Sequence, residues 1–191
     1  MTAIQIAPDP TPLTAAGSPA FRATVVNGSP STGSRTATVA RVAAEALPDA
    51  TTIHLCDLSA EALLGRTVDA TVDDALSAIR GAEVLVVATP IYRATYTALT
   101  KSIFDLLPQG ALEGSVVVPV ATGATSEHAL AIDHGLRPLF ASLGAWATPA
   151  GVFAGHADFD DDGLPLARLV DAIEHAIDQA TSFVQARKDQ P

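Results

Sequence analysis

Residues 28–36 read Gly28-Ser29-Pro30-Ser31-Thr32-Gly33-Ser34-Arg35-Thr36. Hydroxyl side chains alternate here with glycine and proline, and Arg35 adds one cation. Placed at the start of a helix, such a turn offers unpaired N–H groups and the positive end of the helix dipole, and both favour a phosphate. No Gly-Lys-Ser/Thr follows, so the turn is not a triphosphate loop, and its glycines do not have the spacing of a dinucleotide fingerprint. Hydroxyls without a lysine suit a terminal monophosphate ester. The competing reading is an ordinary Ser/Gly turn with Ser34 as the helix cap.

Two further loops could carry chemistry. Thr89-Pro90-Ile91-Tyr92-Arg93-Ala94-Thr95-Tyr96 holds both tyrosines of the chain. Its apolar and aromatic residues could pack on a planar ring system, or could simply cover a sheet end. Thr122-Gly123-Ala124-Thr125 is built of small residues that let backbone approach a ligand. His128 follows, and it either donates to that ligand or faces solvent at a helix start.

Other candidates are weaker. The five histidines (54, 128, 134, 156, 175) lack metal-ligand spacing. Asp158, Asp160, Asp161 and Asp162 lack the closing Glu and the intervals of a calcium loop. Cys56 reads as a buried structural thiol, Lys101 as a solvated helix residue, and no G-x-S-x-G elbow is present.

The elements that must hold these loops alternate. Strands are expected at 21–27, 51–55, 82–88, 115–118 and 146–153. Helices are expected at 34–47, 69–81, 98–107, 127–143 and 164–187, with a partial helix within 57–66. Pro90 is expected to end the third strand, and Pro119 to confine the fourth to its first residues. Pro138 is expected to give a kink or an irregular turn in the helix at 127–143. Strand–helix crossovers of this length imply a five-stranded parallel sheet with helices on both faces. Ligands of such sheets sit beyond the carboxyl ends of the strands, where the three loops lie.

The composition narrows the partners. A net charge of −10 repels nucleic acid and anionic lipid, so neither a nucleic-acid nor a membrane partner is expected. With Cys56 alone, no intrachain disulfide can form, and a cytoplasmic location is expected. Residues 1–20 have neither a basic start nor a continuous apolar stretch, and read as a flexible or partner-docked tail before a single domain at 21–191.

At the three loops the chain resembles the NADPH-dependent FMN reductase family, in particular the alkanesulfonate- and methanesulfonate-type reductases that feed two-component monooxygenases. The resemblance rests on GSPSTGSRT (28–36), ATPIYRATYTALTKSIFDLLP (88–108) and VVVPVATGATSEHALAIDHGLRPLFASLGAW (116–146). It implies a flavodoxin-like three-layer α/β sandwich, FMN as cofactor, and NADPH or NADH as co-substrate. Carried over by position, Ser29, Ser31, Ser34, Arg35 and Thr36 hold the FMN phosphate. Pro90, Ile91, Tyr92 and Arg93 line the isoalloxazine. Thr122, Gly123 and Ala124 meet its pyrimidine edge through their amides, with His128 adjacent.

The resemblance implies a flavin-centred hydride transfer with no catalytic side chain, reduced FMN passed to a partner monooxygenase, and a homodimer or homotetramer. The apolar stretches near 98–107 and 130–143 are candidate interfaces. Alternatives are a quinone or azo-dye reductase with tightly held FMN, or an electron carrier. Three positions depart from the family pattern. Ser31 stands where relatives often have Arg, Ala124 replaces the second Gly of a Thr-Gly-Gly turn, and His134 occupies a place where one branch has Tyr. In that branch the helix carries a π-bulge. An ordinary Pro-kinked helix is the other reading here.

Overall fold

Runs of Val and Ala buried on both faces can only be central strands of a covered parallel sheet. The computed structural model describes residues 21–190 and builds that sheet. The tail expected at 1–20 lies outside the described residues. Seven strands and six α-helices follow in chain order: β1 (Ala23–Asn27), α1 (Arg35–Glu45), β2 (Thr51–His54), α2 (Ala60–Leu63), α3 (Ala70–Gly81), β3 (Val84–Tyr92), β4 (Thr95–Tyr96), α4 (Ala98–Asp105), β5 (Val116–Thr122), α5 (Arg137–Ser142), β6 (Trp146–Ala147), β7 (Val152–Ala154) and α6 (Ala167–Lys188). The order across the sheet is β2-β1-β3-β5, with β6 and β7 sharing the last position. That is the doubly wound flavodoxin-like order, whose switch point lies between β1 and β3.

Alternation along the strands feeds two cores. Val25, Val86, Val118 and Val120 pack under α1 and α6 with Val39, Ala43, Ile173 and Ile177. Val26, Leu85, Val87 and Val117 face the other way, onto Ile79, Phe104, Leu136 and Phe140. Phe104 and Phe140 meet edge-to-face, 5.5 Å between ring centroids.

Two expectations about proline are corrected. Pro90 does not end β3, which runs on to Tyr92. Ala88 accepts from the Gly28 N–H, so residues 88 and 90 both turn their polar groups toward β1. Because β1 stops at Asn27, opposite Ala88, the missing N–H of Pro90 points past its end and no ladder bond is lost. Pro119 does not truncate β5 either. Val117 accepts from Thr148, so Pro119, two residues on, turns its missing N–H toward the same outer neighbour. There the single strand expected at 146–153 is broken into β6 and β7, and Arg137 holds the excursion by donating to the Thr148 and Pro149 carbonyls, 2.7 Å each.

At Pro138 the irregular turn forms, and of the two readings for His134 the π-bulge is the one observed, not the ordinary kinked helix. The expected helix at 127–143 is divided into a 3-10 turn (Ser126–Ala129), a π segment (Ile132–Leu136) and α5. Pro138 has no N–H to return to residue 134 and its ring crowds that carbonyl, and a widened turn accommodates both. His134 lies exposed on this π segment, and Gly135 packs so close to β4 that a Cβ would stand 2.8 Å from Thr95 Oγ1.

Candidate functional site

The β1–α1 turn is built on hydrogen bonds that the sequence supplies locally. Ser34 caps α1, its Oγ accepting from Ala37 N (3.1 Å) and donating to Ser29 Oγ (2.8 Å). Ser29 Oγ also accepts from Ser31 N, and Ser29 N donates to Asn27 Oδ1. Ser29 is 1% exposed, so its hydroxyl braces the turn from inside. Gly28 is required by space: a Cβ would stand 2.1 Å from Thr100 Oγ1. Beneath it, Thr89, Thr97 and Thr100 form a buried hydroxyl cluster, and Thr97 donates to the Gly28 carbonyl (3.0 Å). Sequence reading passed over this cluster, since a helix-start Thr and a strand-end Thr meet only once α4 packs on β3.

The β3–β4 hairpin forms the second wall. Ile91 pairs with Tyr96 and Tyr92 with Thr95, around a two-residue turn at Arg93 and Ala94. Both turn residues have positive φ (51° and 71°), a conformation that favours Gly or Asn. Ile91 is buried and Tyr92 is 55% exposed.

The β5 turn closes the third side. Thr122 and Thr36, both buried, share a 2.6 Å hydroxyl bond that ties this turn to α1. Gly123 N donates to the Ala154 carbonyl, and Ala124 N donates to His128 Nδ1 (3.2 Å). The amides expected to meet a ring edge are therefore already committed. A neutral His128 that accepts at Nδ1 carries its proton on Nε2, and this N–H becomes the donor on that side. Gly123 makes the arrangement possible, because a Cβ there would lie 2.7 Å from the His128 ring.

The three walls enclose a cleft of about 380 Å³, lined by Arg35, Thr36, Pro90, Ile91, Tyr92, Thr122, Gly123, Ala124, His128 and Ala154. Nine of the expected site residues thus converge. Ser29 and Ser34 brace the turn, Ser31 is exposed on it, and Arg93 sits at the exposed hairpin tip, so none of the four lines the cleft. Ala154 was not anticipated; it arrives because β7 pairs with β5 through Thr122.

Carboxylates near the site are held ionised. Burial works to raise the Asp158 carboxyl, but donation from Arg168 and from Gly155 N keeps it below the usual range. Donation from the Thr125 hydroxyl lowers Glu127. Cys56, expected to be buried, is half-buried instead, and desolvation followed by the Asp57 charge pushes its thiol up, away from nucleophilic use. Among the described residues no cluster of His, Cys, Asp or Glu could hold a metal, and no helix is long and apolar enough to cross a membrane.

A cleft at the switch point, with a hydroxyl-rich helix start on one side and an apolar hairpin on the other, defines a flavodoxin-like mononucleotide-binding domain. The chain belongs to the NADPH-dependent FMN reductase family, whose sequence model matches residues 21–160. It is 40% identical over 132 residues to the "NADH-dependent FMN reductase SfnF" of Pseudomonas putida, covering 69% of this chain and 71% of that one. It is 38% identical over 151 residues to an "FMN reductase (NADPH)" of Pseudomonas aeruginosa, covering 76% of this chain and 80% of the relative. Among solved structures, an apo "NADH:FMN oxidoreductase (EMOB)" superposes with a TM-score of 0.72 at 37% identity, over 85% of this chain and 89% of that one. Membership makes this protein a flavin-reducing oxidoreductase, with FMN and a nicotinamide nucleotide as its cofactors.

The residues present fit FMN. The turn before α1 offers hydroxyls, helix-start amides and one arginine, a donor set for a single phosphate monoester. The cleft volume falls within the range of small-molecule sites.

Proposed function

We propose that this protein oxidises NADH or NADPH, reduces FMN, and releases the reduced flavin to a partner monooxygenase. FMN, when bound, supplies the redox chemistry and accepts the hydride from the nicotinamide nucleotide. The chain's own residues position and polarise. Arg35, Ser31 and the first amides of α1 hold the phosphate. Ile91 and Tyr92 lie along the ring, and the exposed side of Tyr92 leaves room for a nicotinamide. His128 Nε2–H stabilises negative charge that develops at the pyrimidine edge.

The observation that carries this reading is the convergence of the three loops on one cleft. Release is supported by Ser31, where an uncharged side chain leaves Arg35 as the cation of the turn. Purified full-length chain is expected to oxidise NADH or NADPH only when FMN is added. Oxidation that proceeds with retained flavin and a quinone, without added FMN, would instead support the tight-binding quinone reductase. No turnover with either nucleotide would leave the proposal without support.

We also propose a homodimer or homotetramer. Most apolar residues of 98–107 and 130–143 are spent in the core, including Ile103, Phe104, Leu136 and Phe140. Leu130, 58% exposed beside the cleft-lining turn, remains available for an interface. Sedimentation as a monomer at micromolar concentration would overturn it.

A further inference from the structure

Arg35 is not free in the cleft. Its Nη1 lies 2.6 Å from His156 Nδ1 and 3.2 Å from His156 Nε2, a partner 121 residues away in sequence. Its guanidinium also lies over the Phe159 ring, 5.4 Å from the centroid. An arginine has no lone pair to give, so the imidazole must accept, and the shorter contact makes Nδ1 the acceptor. His156 is therefore neutral in this arrangement, with its proton on Nε2.

The turn that presents His156 is itself anchored. Asp158 accepts from Gly155 N and from Arg168 Nε, 2.8 Å each, and Arg168 donates further to the Ala157 carbonyl. The charged groups around His156 are thus Arg35 from α1, Asp158 from its own turn and Arg168 from α6, with Asp158 and Arg168 paired to each other. Phe159 is buried and fixes the floor on which Arg35 rests.

We infer that His156 is a residue of the phosphate subsite: it positions Arg35 when neutral and, once protonated, stands beside Arg35 as a second cation toward the phosphate of the flavin. The inference rests on the FMN-binding reading above. Two cations side by side repel when the subsite is empty, and both are satisfied when a phosphate dianion accepts from each of them. Phosphate binding therefore raises proton affinity at His156, and by linkage lower pH strengthens phosphate binding. Riboflavin, which lacks the phosphate, is indifferent to this. His156 would make the protein select phosphorylated flavin, more strongly at lower pH.

The test measures dissociation constants of FMN and riboflavin, by flavin fluorescence, for the full chain, His156→Gln and His156→Ala. Measurements run from about pH 8.5 to about pH 6.5, above most of the phosphate's own second ionisation. The glutamine retains an acceptor for Arg35 but cannot titrate, and it sees the same phosphate ionisation, so it is the internal control. For the natural chain, the preference for FMN over riboflavin is expected to grow several-fold, up to about tenfold, over that range. It is expected to stay flat in His156→Gln. In His156→Ala, FMN binding is expected to weaken at every pH because Arg35 loses its partner, while riboflavin binding is unchanged. If the natural chain and His156→Gln show the same pH slope, the inference is wrong although FMN binding stands. If the natural chain binds neither flavin at any pH, the FMN reading falls and the inference falls with it.

Discussion

The two walls of the cleft are built on opposite principles. The β1–α1 wall is tied at every level. Ser34, Ser29 and Asn27 bond one another within the turn, Thr97 holds the Gly28 carbonyl, and Thr36 reaches Thr122 across the cleft floor. The β3–β4 wall is a short hairpin with an exposed tip, and its turn places Arg93 and Ala94 in a conformation that costs non-glycine residues about 1–2 kcal/mol each. The turn before α1 is therefore braced by its own side chains without any ligand, while the hairpin carries its backbone strain at an exposed tip. That division fits the proposed function, in which the braced turn holds the phosphate and the reduced flavin is released.

Breaking the rigid wall has the largest expected effect. Gly28→Ala would drive a methyl group to 2.1 Å from Thr100 Oγ1 and 3.2 Å from the Ala88 carbonyl. Overpacking at such a site costs about 1–3 kcal/mol. Urea unfolding should show that loss, and FMN binding should fall with it. An unchanged urea midpoint would mean that the turn yields and is not rigid.

Cutting the tie between α1 and the β5 turn comes next. Thr36→Val keeps the shape but leaves the buried Thr122 hydroxyl without its 2.6 Å partner. An unsatisfied buried hydroxyl costs about 1–3 kcal/mol. A raised KM for FMN, with kcat little altered, is expected. Equal falls in both parameters' ratio through kcat alone would point to a role in the ring chemistry instead.

The soft wall offers the smallest effect and the opposite sign. Ala94→Gly relieves a φ of 71°. The expected outcome is a gain of up to about 1 kcal/mol in thermal unfolding, offset in part by the freer unfolded chain. A loss of stability would show that the hairpin tip is not strained and would erase the contrast between the walls.

Much of the fold could be read from local pattern. The runs at 84–87 and 116–118 have no polar face, so they had to be buried parallel strands. The helices expected at 69–81 and 34–47 start at Asp69 and Ser34, which cap them, because an N-cap needs only a short side chain two or three residues before the N–H it accepts from. The site was legible to the same degree: the loops after β1, β3 and β5 converge because all three strands run parallel and end together. Pro90 and Pro119 were misjudged for a definite reason. Whether a strand tolerates proline depends on which neighbour its missing N–H faces, and that is a matter of register between distant segments.

The sequence by itself determined the alternation of strands and helices, the parallel sheet, and a helix start fit for a phosphate. These follow from periodicity and from side chains that act within a few residues of themselves. Only the tertiary structure decided that Pro119 would break the last strand into β6 and β7, that the Gly123 and Ala124 amides would already be occupied, and that Arg35 would meet His156. Each of these depends on pairing between residues far apart in the chain, where the partner is chosen by how the sheet and helices pack and not by any neighbour in sequence.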